Sequence, residues 1–128
     1  MITILPLRDL EAMNRLNEKE QMSCSNAYCL MDGKEILAYV LYDMHADHGV
    51  IQTLCGEYDP SIADGLIRAA LASLSDIGIN KAFVSERIDR AITDRFHITK
   101  NGASEIRSIT AVLHHCEGCM GDCTACTK

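Results

Sequence analysis

The stretch VIQTLCGEYDPSIADGLIRAALASLSDIGINKAFV, Val50–Val84, decides the fold. It opens on an apolar segment of strand character, 49–55, and breaks at the polar turn Glu57-Tyr58-Asp59-Pro60. Helical periodicity then takes over: Ile62, Leu66, Ala70, Leu74 and Ile77 form a stripe, widened by Ile67 and Leu71. Ser61 with Asp64 has the S-x-x-D form of a capping box, so the spacing predicts a helix opening at Ser61. Gly78 is placed to end it as a C′ residue. Residues 79–85 (INKAFVS) read as another strand, and a strand–helix–strand unit of this length predicts a right-handed parallel crossover.

On the N-terminal side, residues 1–7 read as a short strand. Asp9 can cap a helix running to about Met22, with Leu10, Met13, Leu16 and Asn17 on one side. Strands follow at 26–31 and 35–43, with Asp32-Gly33 as a hairpin turn between them. The second is apolar on both alternating faces, so both should be covered. The polar loop at 45–49 then leads into strand 49–55, completing an antiparallel meander. Its histidines, His45 and His48, are expected to face solvent.

On the C-terminal side, a helix over about 87–97 carries Ile88, Ala91, Ile92 and Phe96 at helical spacing. Asn101-Gly102 reads as a turn, and 105–115 (EIRSITAVLHH) as a last long strand.

A chain of 128 residues fits one domain with a modest core, which must be built from Ile, Leu, Val, Ala and Met because aromatics are scarce. The net charge of −6 and the scattered Lys and Arg argue against nucleic acid as a partner. No apolar run is long enough to span a bilayer, and nothing resembles a signal peptide, so a cytoplasmic location is expected. In a reducing compartment Cys24, Cys29 and Cys55, which lie in or beside apolar segments, are expected to be small buried hydrophobes.

The order β, α, three antiparallel strands, long helix, strand, short helix, strand resembles the GNAT superfamily of N-acetyltransferases over roughly residues 2–113, with Val50–Val84 as the core pattern. The resemblance implies an α+β fold with a mixed, mostly antiparallel sheet flanked by helices. It also implies acetyl-CoA as cofactor, and as acceptor an amine on a small molecule, a protein N-terminus or a lysine. A homodimer paired through an edge strand would be in keeping with it. The family's Q/R-x-x-G-x-G/A loop, whose amides hold the cofactor pyrophosphate at a helix N-terminus, falls on Tyr58-Asp59-Pro60-Ser61-Ile62-Ala63. Only Ala63 matches: Tyr58 replaces Gln or Arg, and Ser61 replaces the first Gly. Pro60 contributes no N–H, and Glu57, Asp59 and Asp64 set carboxylates where a dianion should sit. The cofactor contacts carried over are Tyr58, Ser61, Ile62 and Ala63 on the loop, and backbone groups of Leu54, Cys55 and Gly56 for pantetheine. Glu57 and Glu86 take the positions of the general base. The family's acid, a tyrosine, is replaced by Ile98, with His97 adjacent as a substitute.

Beyond this body of residues 1–115 comes a cysteine-rich tail, 116–128. Cys116, Cys119, Cys123 and Cys126 form a C-x2-C-x3-C-x2-C run, preceded by His114 and His115. Thiols so spaced suit zinc or an Fe–S cluster, a redox pair, or a tail without its own chemistry. The alternative to an enzyme is therefore a non-catalytic scaffold of the same fold, whose tail binds metal or senses redox state.

Overall fold

The computed structural model describes residues 2–99 and 103–114. The elements are β1 (Ile2–Pro6), α1 (Leu10–Glu20), β2 (Asn26–Asp32), β3 (Glu35–Met44), β4 (Gly49–Gly56), α2 (Pro60–Asp76), β5 (Ala82–Val84), α3 (Arg90–Arg95), β6 (Glu105–Ile106) and α4 (Ile109–Leu113). The six strands form one sheet in chain order. All neighbours are antiparallel except β4 and β5, which run parallel on either side of α2. The fold is α+β with a mixed, mostly antiparallel sheet, as the element order implied.

Helix α2 builds the larger core. Leu66, Ile67, Ala70, Leu71 and Leu74 are fully buried, and each large side chain contributes roughly 1.5–3 kcal/mol on leaving water. They meet Ala38, Val40 and Tyr42 of β3, and Ile106, Ile109 and Val112 near the C-terminus. The intervening β3 residues Tyr39 and Leu41 enter a second cluster with Met13, Cys24, Ala27 and Cys29. Alternation along β3 therefore covers the sheet on both sides, as its sequence required. Leu10 is 73% exposed and Ile77 60%, so neither joins the stripe assigned to it.

The end of α2 is a Schellman motif: Ile79 N–H donates to Leu74 O and Gly78 N–H to Ser75 O, with Gly78 at φ +88°. The start differs from the capping box expected. Asp59, not Ser61, is the N-cap; its Oδ1 accepts from Ile62 N at 2.8 Å, and Pro60 takes the first helical position, where its missing N–H costs nothing. Asp64, the expected box partner, instead pairs with Arg68 at 2.7 Å. The same guanidinium donates to Phe96 O at 2.8 Å and Val112 O at 2.6 Å, so it ties α2 to the ends of α3 and α4.

The long last strand is also corrected. Pairing with β5 stops at Ile106, and Ser108 caps α4, accepting from Ala111 N at 3.2 Å. Asn80 fixes that helix start: its Oδ1 accepts from Thr110 N at 2.8 Å, and its backbone O from Ile109 N at 2.8 Å. Ile106, Ile109 and Val112 are buried at a spacing of three, a helical period hidden in a β-branched run. The 87–97 helix shrinks to Arg90–Arg95 because Asp89 caps it, accepting from Ala91 N at 2.9 Å. The strand at 79–85 narrows to Ala82–Val84. The hairpin turn falls one residue later than expected, on Gly33-Lys34, since Asp32 still pairs with Glu35. The Asn101-Gly102 turn lies outside the described residues.

Cys24 and Cys29 are buried as expected, and Cys55 is half-buried. Burial pushes the Cys24 thiol up to about 12 and that of Cys29 to about 11. At pH 8 only about a thousandth or less of either is the reactive thiolate. Iodoacetamide on the native protein should therefore leave both unlabelled until guanidinium is added, as read by peptide mass mapping; native labelling of either would contradict this core. Arg68→Met should destabilise the fold by about 2–3 kcal/mol in urea denaturation, because it strands Asp64 and removes donors from two carbonyls.

Candidate functional site

Strands β4 and β5 pair over only three positions, Gly49–Ile51 with Ala82–Val84. They part at a bulge: Thr53 faces Leu41 and Ile51 faces Tyr42, so Gln52 is the extra residue on β4. A bulge bends and twists its strand. Ser85 holds the parting point, its N–H donating to Ile51 O at 2.9 Å and its Oγ to Gln52 O at 2.6 Å. Beyond this, the β4 edge from Thr53 to Gly56 has no strand partner on the β5 side among the described residues. Leu54, Cys55 and Gly56, expected to offer backbone groups there, do lie on that edge. Gly56 has φ +103°, and a Cβ there would come within 2.4 Å of Leu37 O, so only glycine fits the exit of β4.

The loop comes next. Glu57 N–H donates to Leu37 O at 2.9 Å, leaving an exposed side chain. Tyr58 is half-buried against the main core, its hydroxyl pushed up by burial and by the nearby Cys55 and Asp89. Of the three amides expected to hold phosphate, Ile62 N–H is held by the Asp59 carboxylate and Ala63 N–H by Asp59 O at 3.0 Å. The Ser61 amide has no such partner among the described residues. Ala63 is fully buried, Ile62 half-buried and Ser61 exposed.

Glu57 follows β4 and Glu86 follows β5, so the two expected bases stand on opposite arms of the parting, both exposed. His97, with φ +59°, is elsewhere: it lines a groove of about 980 Å³ between α3 and the β6–α4 turn, together with Asp94, Thr99, Glu105 and Ser108. No residue of β4 or of the 57–63 loop lines that groove. In the 45–49 loop His45 is exposed as expected, while His48 is half-buried, stacked on His45 and edge-on to Phe83. Cys116, Cys119, Cys123, Cys126 and His115 lie outside the described residues. Among the described residues no group of three His, Cys, Asp or Glu is arranged to hold a metal.

The structure also brings together a cluster that sequence reasoning missed. Glu20, the last residue of α1, accepts from the Tyr39 hydroxyl at 2.5 Å, and Arg87 Nη2 lies 3.8 Å from its other oxygen. Arg87 Nη1 also donates to Glu20 O at 3.2 Å. The Cys55 thiol completes the cluster, with its Sγ 3.5 Å from Thr53 Oγ1. Hydrogen bonds from Tyr39 and Cys55, with the Arg87 charge, hold the Glu20 carboxyl below its ordinary value against its burial. Tyr39 is pushed well up by burial and by the same carboxylate. No local motif marks the four: the contacts span 19 residues from Glu20 to Tyr39 and 67 to Arg87.

No protein-family model matches the sequence, and no curated protein matches it. Solved structures do. An acetyltransferase of the GNAT family from Streptococcus pneumoniae TIGR4 superposes with a TM-score of 0.50 at 16% identity, over 71% of this chain and 80% of that one. The KacTA–DNA complex matches with a TM-score of 0.55 at 12% identity, over 88% of this chain and 96% of that one. A looser likeness, TM-score 0.47 at 16% identity over 83% of this chain and 98% of that one, is to the E. coli protein YhhK, described as an N-acetyl transferase and solved with coenzyme A. The DNA complex corrects one expectation. Net charge was taken to exclude nucleic acid, yet a chain of this fold was solved with DNA. A net charge sums the whole surface, whereas a phosphate backbone meets one face of it. Among the described residues no helix is long and apolar enough to cross a membrane. The six-stranded sheet in chain order, the parallel pair around α2 and the first two of these superpositions together establish that the chain has the GNAT-type acetyltransferase fold.

Proposed function

We propose that the protein is an acetyl-CoA-dependent N-acetyltransferase acting on an amine. The observation that carries this reading is the parting of β4 from β5 at Gln52, which leaves one edge of β4 without a strand partner among the described residues, beside the start of α2. That edge, Leu54–Gly56, suits the amide-bearing pantetheine arm, which pairs with a strand as a further strand would. The phosphate end fits on one condition. Ser61 N–H and Ile62 N–H lie at the N-terminus of a 17-residue helix, and the Asp59 carboxylate now holding Ile62 is exposed and can turn out to solvent.

Bound acetyl-CoA supplies an acetyl group as a thioester and a thiol as leaving group. The chain's part is to seat the amine against that carbonyl in the parting, where an amine proton must be taken as the C–N bond forms and the C–S bond breaks. Glu57 and Glu86, one on each arm, are the carboxylates placed to take it, directly or through water. The departing thiolate receives a proton to leave as a thiol; His97 lines a different groove and takes no part in this proposal.

A second reading has its own support. Two of the three loop amides are satisfied internally and the loop is acidic, which suits a scaffold of the same fold that has given up the cofactor.

Calorimetry with acetyl-CoA separates the two. Micromolar binding is the expected result, and no heat at millimolar cofactor would leave the scaffold. Asp59→Gly costs a helix cap only a few tenths of a kcal/mol. It frees Ile62 N–H and removes a carboxylate, so it should tighten acetyl-CoA by about fivefold or more. Unchanged affinity would show that phosphate does not sit there. In an active preparation, Glu57→Gln or Glu86→Gln should lower kcat about 10²-fold or more. If both retain full rate, neither is the base.

A further inference from the structure

The cluster around Glu20 belongs to neither the loop nor the two exposed carboxylates; it shares Thr53 and Cys55 with the β4 edge and touches both arms of the parting. Thr53 and Cys55 come from β4, and Arg87 from just beyond β5. The end of α1 brings a carboxylate over the sheet face opposite α2, where only 13% of its side chain is exposed. A carboxylate at that burial needs its lone pairs filled. Tyr39 fills one at 2.5 Å on Oε2, and the Cys55 thiol, a weak donor, gives another. On Oε1 the cation is Arg87 Nη2 at 3.8 Å, beyond hydrogen-bond length, from a side chain that is 47% exposed. The shorter bond of that guanidinium is from Nη1 to Glu20 O at 3.2 Å, so its contact with the carboxylate itself is the weaker one. Glu20 is thus oriented by a phenol, set between the two arms of the parting, and faced on Oε1 by a guanidinium 3.8 Å away.

A compact cation with several N–H donors suits that oxygen better than a guanidinium held 3.8 Å away does, and an alkylammonium is one. The reacting nitrogen of an acetyl acceptor must be neutral when it attacks, and a carboxylate whose oxygens already accept from Tyr39 and Cys55 is poorly placed to take its proton. The ammonium that Glu20 takes is therefore a second nitrogen of the same molecule. Resting on the N-acetyltransferase reading above, we infer that the acceptor is an aliphatic diamine or polyamine, one nitrogen presented in the β4–β5 parting and another held as ammonium by Glu20, with Tyr39 as a positioning residue for the carboxylate. The net charge of −6 assists approach of such a cation.

The test is a calorimetric or NMR titration of the full chain with 1,4-diaminobutane, with n-butylamine and 1-butanol as controls, without cofactor. Wild-type protein should bind the diamine, more tightly than the monoamine and far more tightly than the alcohol. Glu20→Gln should weaken the diamine at least tenfold. Arg87→Met removes the competing cation and should tighten it severalfold, a change that a merely structural Glu20–Arg87 pair would not produce. Equal diamine affinity in wild type and Glu20→Gln overturns the inference, as does unchanged affinity in Arg87→Met. If Glu20→Gln fails to fold by thermal melt, the Arg87→Met titration decides. Acetyl-CoA is titrated separately: its failure to bind wild-type protein would overturn the acyltransferase reading, while the diamine result still stands or falls by itself. Its affinity should be the same in all three proteins.

Discussion

The proposed site depends on how far β4 and β5 stay together. Ser85 makes that limit, with one backbone and one hydroxyl bond to consecutive carbonyls of β4, at the residue where the bulge on Gln52 turns the strand away. Three paired positions hold the strands as one sheet. A longer ladder would close the cleft and leave no free edge; a shorter one would detach β5, and with it α3 and the Arg87 arm. The opening is thus a consequence of register rather than of a mobile loop.

A second set of bonds keeps the C-terminal elements on that frame. Arg68 reaches the last carbonyls of α3 and α4, where a cation is favoured by the unpaired C=O groups. Asn80, in the turn before β5, supplies the acceptors that start α4. Neither helix is long enough to be stable alone at five or six residues. Each exists because a side chain from α2 or the following turn completes its hydrogen bonding and α2 buries its apolar side.

This division explains what could be read from the sequence. The meander, α2 and its glycine stop are written in local patterns: alternation over β3, a stripe from Ile62 to Leu74, and Gly78 at a position that demands positive φ. The 105–115 segment was misread because Ile and Val at that spacing fit a strand as well as a helix, and the deciding partner, Asn80, is about thirty residues away. The α2 cap was misassigned because Asp59 and Ser61 are both good caps, and Pro60 settles the matter by preferring the first helical position. The β4 edge and the loop after it could be located from the sequence because they are contiguous. Glu20 was not: a glutamate at a helix end reads as a solvated charge, and nothing near it in sequence announces Tyr39 or Arg87.

The strands lie in the sheet in the order in which they occur in the chain. Each new strand therefore adds to an edge that is already present, and no earlier strand must be reopened to admit it. Closing β2, β3 and β4 on one another costs only short loops. The sheet can then grow from the N-terminal side during synthesis, with α2 settling on a meander already formed and the β5–β6–α4 segment docking last. The parallel β4–β5 pair, which spans α2, is the longest of the loop closures between neighbouring strands, so the same three residue pairs that define the parting weigh most on the pace at which the chain folds.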